Sequence, residues 1–113
     1  MKTIIAGSRS INSYIVIQQA VEDSGFEISE VVSGAARGVD ALGEEFAYKN
    51  HIPLRIFPAD WAAFGPSAGM ERNSKMVAYS DALIAVWDGK SRGTADTIDK
   101  ARKAGLKVFI YNA

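Results

Sequence analysis

Six arginines stand in the sequence, and four of them, Arg9, Arg37, Arg72 and Arg92, fall in or beside short stretches rich in glycine and serine. Those stretches read GSRS (Gly7–Ser10), SGAARG (Ser33–Gly38), PADWAAFGPSAGMERN (Pro58–Asn73) and DGKSRGT (Asp88–Thr94). Arginine is a planar fork of donors that matches phosphate oxygens. Glycine lets backbone N–H groups approach a ligand closely and tolerates positive φ. Ser8, Ser33, Ser91 and Thr94 add hydroxyl donors. The chemistry this combination could perform is the holding of an anion that carries phosphate. Each stretch taken alone also has a purely structural reading, in which glycines shape turns and serine or threonine caps a helix.

Other groups are fewer. Asp40, in ARGVD, could polarise a ligand hydroxyl or simply favour a helix N-terminus. Glu71, beside Arg72 and Asn73, could act as a general base or complement the dipole of a first helical turn. Trp61 and Phe64 could stack on a base or pack in the core. His51 is the only histidine and reads as a solvated residue at a helix end. With one histidine and no cysteine, no metal site, disulfide or thiol nucleophile is expected, and no cofactor is called for.

Two nucleotide motifs fail on spacing. GKS at Gly89–Ser91 invites a P-loop reading, but that motif needs glycine where Ile84 stands. The dinucleotide fingerprint GxGxxG is absent from both early loops.

The elements that must position these loops follow from hydrophobic periodicity. Apolar runs at Thr3–Gly7, Glu30–Gly34, Pro53–Phe57, Asp81–Trp87 and Lys107–Tyr111 read as strands. Between them, helical spacing runs from Ile11 to about Ser24, through Val39–Lys49, Met70–Tyr79 and Thr94–Ala104. Five strands alternating with four helices predict an α/β fold, a doubly wound parallel sheet with helices on both faces. All four arginine-bearing stretches then follow strands and share one sheet edge. The opposite loops, DSGFEIS and KAGLK, carry no arginine. At 113 residues the reading is of a single domain.

Taken together, GSR (Gly7–Arg9), SGAARGVD (Ser33–Asp40), DW (Asp60–Trp61), ERN (Glu71–Asn73) and the W-x-G-x-SRGT run (Trp87–Thr94) resemble the Rossmann-like SLOG superfamily. The resemblance is to its YspA-like, cpYpsA-related branch, distantly similar to LOG and DprA. It spans essentially the whole chain. It implies a nucleotide-derived ligand at the loop edge and the strand order 3-2-1-4-5. LOG-type phosphoribohydrolases resemble GGxGTxxE at the fourth loop, with the glutamate assisting glycosidic cleavage. Here RGTADT puts Thr97 at that position, and Asp96 is about 100° away around the helix. The resemblance therefore keeps the binding half of the motif and lacks the catalytic half.

The expectation is a module that binds a nucleotide or nucleotide-derived small molecule. Its binding residues would be drawn from Gly7, Ser8, Arg9, Ser33, Gly34, Arg37, Gly38, Asp40, Trp61, Arg72, Asn73, Gly89, Ser91, Arg92, Gly93 and Thr94. One alternative is a nucleotide hydrolase with Glu71 or Asp40 as base. Another is a single-stranded nucleic-acid-binding module, disfavoured by balanced charge of thirteen basic and thirteen acidic residues. The N-terminal apolar run, Ile4–Ala6, is too short for a signal peptide, and no run approaches a membrane span, so a cytoplasmic location is expected. Aromatics near the loops leave room for a homodimer that completes the site.

Overall fold

The computed structural model describes residues 1–113. Five parallel strands, β1 (Lys2–Gly7), β2 (Glu30–Ser33), β3 (Leu54–Ile56), β4 (Ala82–Trp87) and β5 (Lys107–Asn112), form one sheet in the order β3-β2-β1-β4-β5. The helices are α1 (Tyr14–Ser24), α2 (Val39–Lys49), the four-residue α3 (Trp61–Phe64), α4 (Ala68–Tyr79) and α5 (Arg92–Lys103). The predicted α/β class and strand order are both observed.

The central strands explain why ALIAVW shows no alternation. Both faces of β1 and β4 are covered, so Thr3–Ala6 and Ala82–Val86 are all buried. Ile4, Ala6, Leu83 and Ala85 pack with Met76 and Val77 of α4 and Ile98 and Ala101 of α5. Ile5, Ile84 and Val86 face the other way, against Ile17 and Ala20 of α1 and Val39 and Ala47 of α2. Strand β3 is the edge and its three residues are exposed, consistent with the proline that precedes it.

From β1 the chain winds outward to β3 with α1 and α2 on one face. It then returns through α4 on the opposite face to lay β4 beside β1, where Gly7 pairs with Val86. Winding direction reverses between these strands, which puts the loops after β1 and β4 side by side.

Several boundaries differ from expectation. Helix α1 begins at Tyr14 rather than Ile11, because the Ile11 N–H bonds the Ser8 carbonyl at 3.3 Å and closes a turn first. The long third loop contains α3, capped by Asp60, whose Oδ1 accepts the Ala63 N–H at 3.0 Å. A single 3-10 turn, Gly65–Ser67, leads from α3 into α4, which starts at Ala68 rather than Met70. Ala68 is fully buried, so this earlier turn is anchored by packing. Helix α5 starts at Arg92, not Thr94. No helix is long and apolar enough to cross a membrane.

Candidate functional site

The loops after β1 and β4 are locked together by Ser8. It is 1% exposed; its N–H donates to the Val86 carbonyl at 3.1 Å and its Oγ accepts the Asp88 N–H at 3.0 Å. The loop after β2 is pressed onto the same point by Gly38, which has φ 72°. A Cβ on Gly38 would lie 2.5 Å from the Ser8 carbonyl oxygen and 2.6 Å from the Arg9 Cα. Gly7 is equally constrained, with a Cβ position 2.0 Å from the Val86 oxygen. Both glycines therefore let backbone approach backbone, which is how the loops converge.

The convergence leaves a small solvent-open cleft lined by Ala6, Gly7, Arg9, Ala36, Asp40, Arg72, Asn73, Met76, Ser91, Gly93, Thr94 and Thr97. A second groove adjoins it, lined by Arg9, Gly34, Ala35, Ala36, Pro58, Ala59, Trp61 and Arg72. Arg9, Ala36 and Arg72 line both, so the two are continuous.

The arginines divide into two kinds. Arg72 is built into the wall. Its Nε donates to Asn73 Oδ1 at 2.9 Å and its Nη1 to the Gly34 carbonyl. Asn73, 5% exposed, reaches on to Asp96 Oδ2 at 3.0 Å and ties α4 to α5. Arg9 is exposed and makes no hydrogen bond or ion pair within the chain, yet it lines both cavities. Arg37 and Arg92 are exposed and line neither.

The fourth loop is organised by Asp88. Its Oδ1 accepts the N–H groups of Lys90 at 2.8 Å and Ser91 at 3.0 Å, so the GKS amides are turned onto a neighbouring carboxylate. These bonds hold the Asp88 carboxyl below its usual range. Ser91 caps α5, accepting from the Thr94 N–H at 3.4 Å and the Thr94 hydroxyl at 3.1 Å. The N–H groups of Arg92 and Gly93 find no acceptor, and Gly93 has open space where a side chain would be. Gly89 lies outside both cavities.

Asp40 is 5% exposed and accepts the Ala36 N–H at 3.2 Å on Oδ2. Burial pushes its carboxyl up to about 6, offset in part by that bond and by nearby Arg72. One helical turn on, Glu44 Oε2 accepts the Ser33 hydroxyl at 2.7 Å, and Ser33 Oγ in turn accepts the Ala35 N–H at 3.2 Å. Glu44 is a residue that sequence reading passed over, although its i,i+4 spacing from Asp40 places both carboxylates on one helix face. Ala35 itself holds φ 62°, a strained conformation for a residue with a side chain.

Glu71 is exposed and lines neither cavity. Trp61, 57% exposed, forms a wall of the second groove, whereas Phe64 sits beside Lys75, whose Nζ is 5.4 Å from its ring centre. His51 is exposed at the C-terminal end of α2, with φ 55°.

With the geometry in place, comparison with known proteins adds a family. The YAcAr group, described as the YspA, cpYpsA-related SLOG family, matches residues 1–64, more than half of the chain. The chain belongs to this family. The matched segment carries the first two site loops and Trp61, while α4, β4 and α5 lie beyond it. The SLOG fold is also seen in the similarity to DNA processing protein A (DprA) from Streptococcus pneumoniae, with a TM-score of 0.75 and 18% identity. That match covers 96% of this chain and 49% of the other, so this SLOG chain spans about half the length of its structural neighbour. No curated protein matches the sequence.

Within this SLOG cleft, Thr97 occupies the position at which the resemblance to phosphoribohydrolases implies a glutamate. It is 2% exposed and lines the cleft, with its hydroxyl donating to the Gly93 carbonyl at 3.1 Å. Asp96 accepts from Asn73 and, at 2.9 Å, from Lys100, and it does not line the cleft.

Proposed function

We propose that this protein binds a phosphate-bearing nucleotide or nucleotide-derived small molecule in the cleft between the β1, β2 and β4 loops. The observation that carries the reading is Arg9, a guanidinium without a partner in the chain, lining the same cleft as the first turn of α5. Phosphate would be met by Arg9 and Arg72, by the unpaired N–H groups of Arg92 and Gly93, and by the Ser91 hydroxyl, whose hydrogen is still free to donate. The remainder of the ligand would run into the groove beside Trp61, whose exposed ring offers a stacking surface. Such a module would sense or sequester its ligand rather than turn it over, because Thr97 carries no carboxylate.

Titration calorimetry against ribonucleoside mono-, di- and triphosphates tests this. Saturable binding of at least one member is expected, and absence of heat across the whole panel would overturn the proposal.

A hydrolase is the second reading, and one feature favours it: Asp40 lines the cleft with a carboxyl that burial pushes up to about 6. Glu71, outside the cleft, is not suited to be its base. Release of free base or phosphate, abolished by Asp40→Asn, would favour the hydrolase over the binding module; no turnover on long incubation would remove it.

A further inference from the structure

We infer that Asp40 is a receptor for sugar hydroxyls, so that the cleft takes ligands with a free ribose diol beside the phosphate and discriminates against their deoxy counterparts. The inference rests on the phosphate-binding reading above and narrows its ligand class.

The argument starts from an incomplete set of hydrogen bonds. A carboxylate has about four acceptor positions. Asp40 is almost wholly buried, yet its carboxylate accepts one well-formed hydrogen bond, from the Ala36 N–H to Oδ2, with the Gly34 N–H nearby as a weaker influence. Arg72, its cationic neighbour, spends its Nη1 on the Gly34 carbonyl and its Nε on Asn73, and makes no ion pair with Asp40 within 4.0 Å. The Ser33 hydroxyl, which could have served Asp40, is given to Glu44 instead. Oδ1 is left with no partner.

That oxygen is also accessible. Ser80 Oγ is the one fully enclosed side-chain polar atom without a hydrogen bond in the molecule, so Asp40 Oδ1 is not sealed inside. The cavity that Asp40 lines is the central cleft, and its opening is therefore into the cleft. Structural economy does not account for this arrangement. A buried acid kept for packing or capping would be expected to satisfy both oxygens within the chain.

The ligand chemistry follows. A second phosphate is excluded at Oδ1, since two anions would repel. An ammonium or a hydroxyl would fit. The cleft already presents Arg9 and Arg72 as fixed cations, which disfavours a further positive charge. A neutral donor is left, and on a phosphorylated nucleotide the donor closest to the phosphate is the sugar hydroxyl. A carboxylate with two open positions can accept both hydroxyls of a vicinal diol.

Binding of ribose 5-phosphate, adenosine monophosphate and the corresponding 2-deoxy and dideoxy compounds would be compared by calorimetry on the wild-type protein. The inference predicts a loss of roughly tenfold to a hundredfold for the compounds without hydroxyls, the range for hydrogen bonds to a charged acceptor. Asp40→Asn should reduce that discrimination, the ratio of ribo to dideoxy affinity falling towards one. Should the variant fail to fold, the wild-type comparison alone decides. Equal affinity for ribo and dideoxy compounds overturns the inference and leaves phosphate binding intact. Failure of every compound to bind overturns the inference, and the binding proposal falls with it only if the wider panel of nucleoside mono-, di- and triphosphates is silent as well.

Discussion

At the scale of the residue, the arginines that look alike in sequence are not equivalent. Arg9 lines both cavities and is unpaired, whereas Arg92 is exposed and lines neither. Arg92→Ala should therefore change ligand affinity little, although SRGT looks like the most phosphate-adapted run in the chain. Asp40 makes a second prediction, one about stability. Its folded value of about 6 exceeds the ordinary 3.8, so between those values the native state binds more protons than the unfolded chain. Stability from this group is complete below pH ~4 and is lost as pH rises through about 6. The difference corresponds to roughly 3 kcal/mol. Urea unfolding of wild type and Asp40→Asn from pH 4 to 7 should show the variant gaining on the wild type as pH rises, by up to about that amount. A constant gap would contradict the assignment. Sequence could not show which carboxylate is buried: Asp40 and Glu71 both sit in first turns, but α2 packs its first turn into the loops and α4 turns Glu71 to solvent.

At the scale of the element, the two glycines at helix starts make opposite predictions. Gly38 is in the left-handed region and abuts backbone, so Gly38→Ala should destabilise the protein by roughly 2–4 kcal/mol. Gly93, in the first turn of α5, has free space around it. Gly93→Ala should raise stability by roughly 0.5 kcal/mol through helix propensity. The same methyl would stand where phosphate must meet the helix amides, so affinity should fall as stability rises. Chemical denaturation paired with ligand titration checks both. The strands and four long helices were legible because burial on one or two faces writes itself into apolar spacing. The third loop was not. Its order comes from the Asp60 cap, a 3-10 turn with proline at its start, and burial of the single methyl of Ala68. None of these produces periodicity. The fate of the GKS amides was not legible for a related reason: Asp88 Oδ1 accepts the N–H groups of Lys90 and Ser91, a local side-chain contact that leaves no periodic trace.

At the scale of the whole molecule, the site exists because winding direction reverses between β1 and β4. Every group proposed to bind ligand lies on that one edge, and the loops at the other end carry none. The edge was legible from the alternation of strands and helices, and the adjacency of the β1 and β4 loops from the strand order that the family resemblance implied; the division of the edge into a cleft and a groove was not. Since ligand would bridge elements from both halves of the chain, binding should stabilise the fold globally. At a free ligand concentration a hundredfold above Kd, the gain is about 2.7 kcal/mol, or roughly 10 °C in Tm for a chain of this size. A ligand that binds without raising Tm would not be seated across the loops.

The central claim, that an unpaired Arg9 marks a phosphate site, is tested most directly by titrating one binding nucleotide into wild type, Arg9→Ala and Arg92→Ala side by side. Loss of a charge-assisted contact should weaken Arg9→Ala by ~1.5–3 kcal/mol, tenfold or more in Kd, with Arg92→Ala close to wild type. Unchanged affinity in Arg9→Ala would contradict the account.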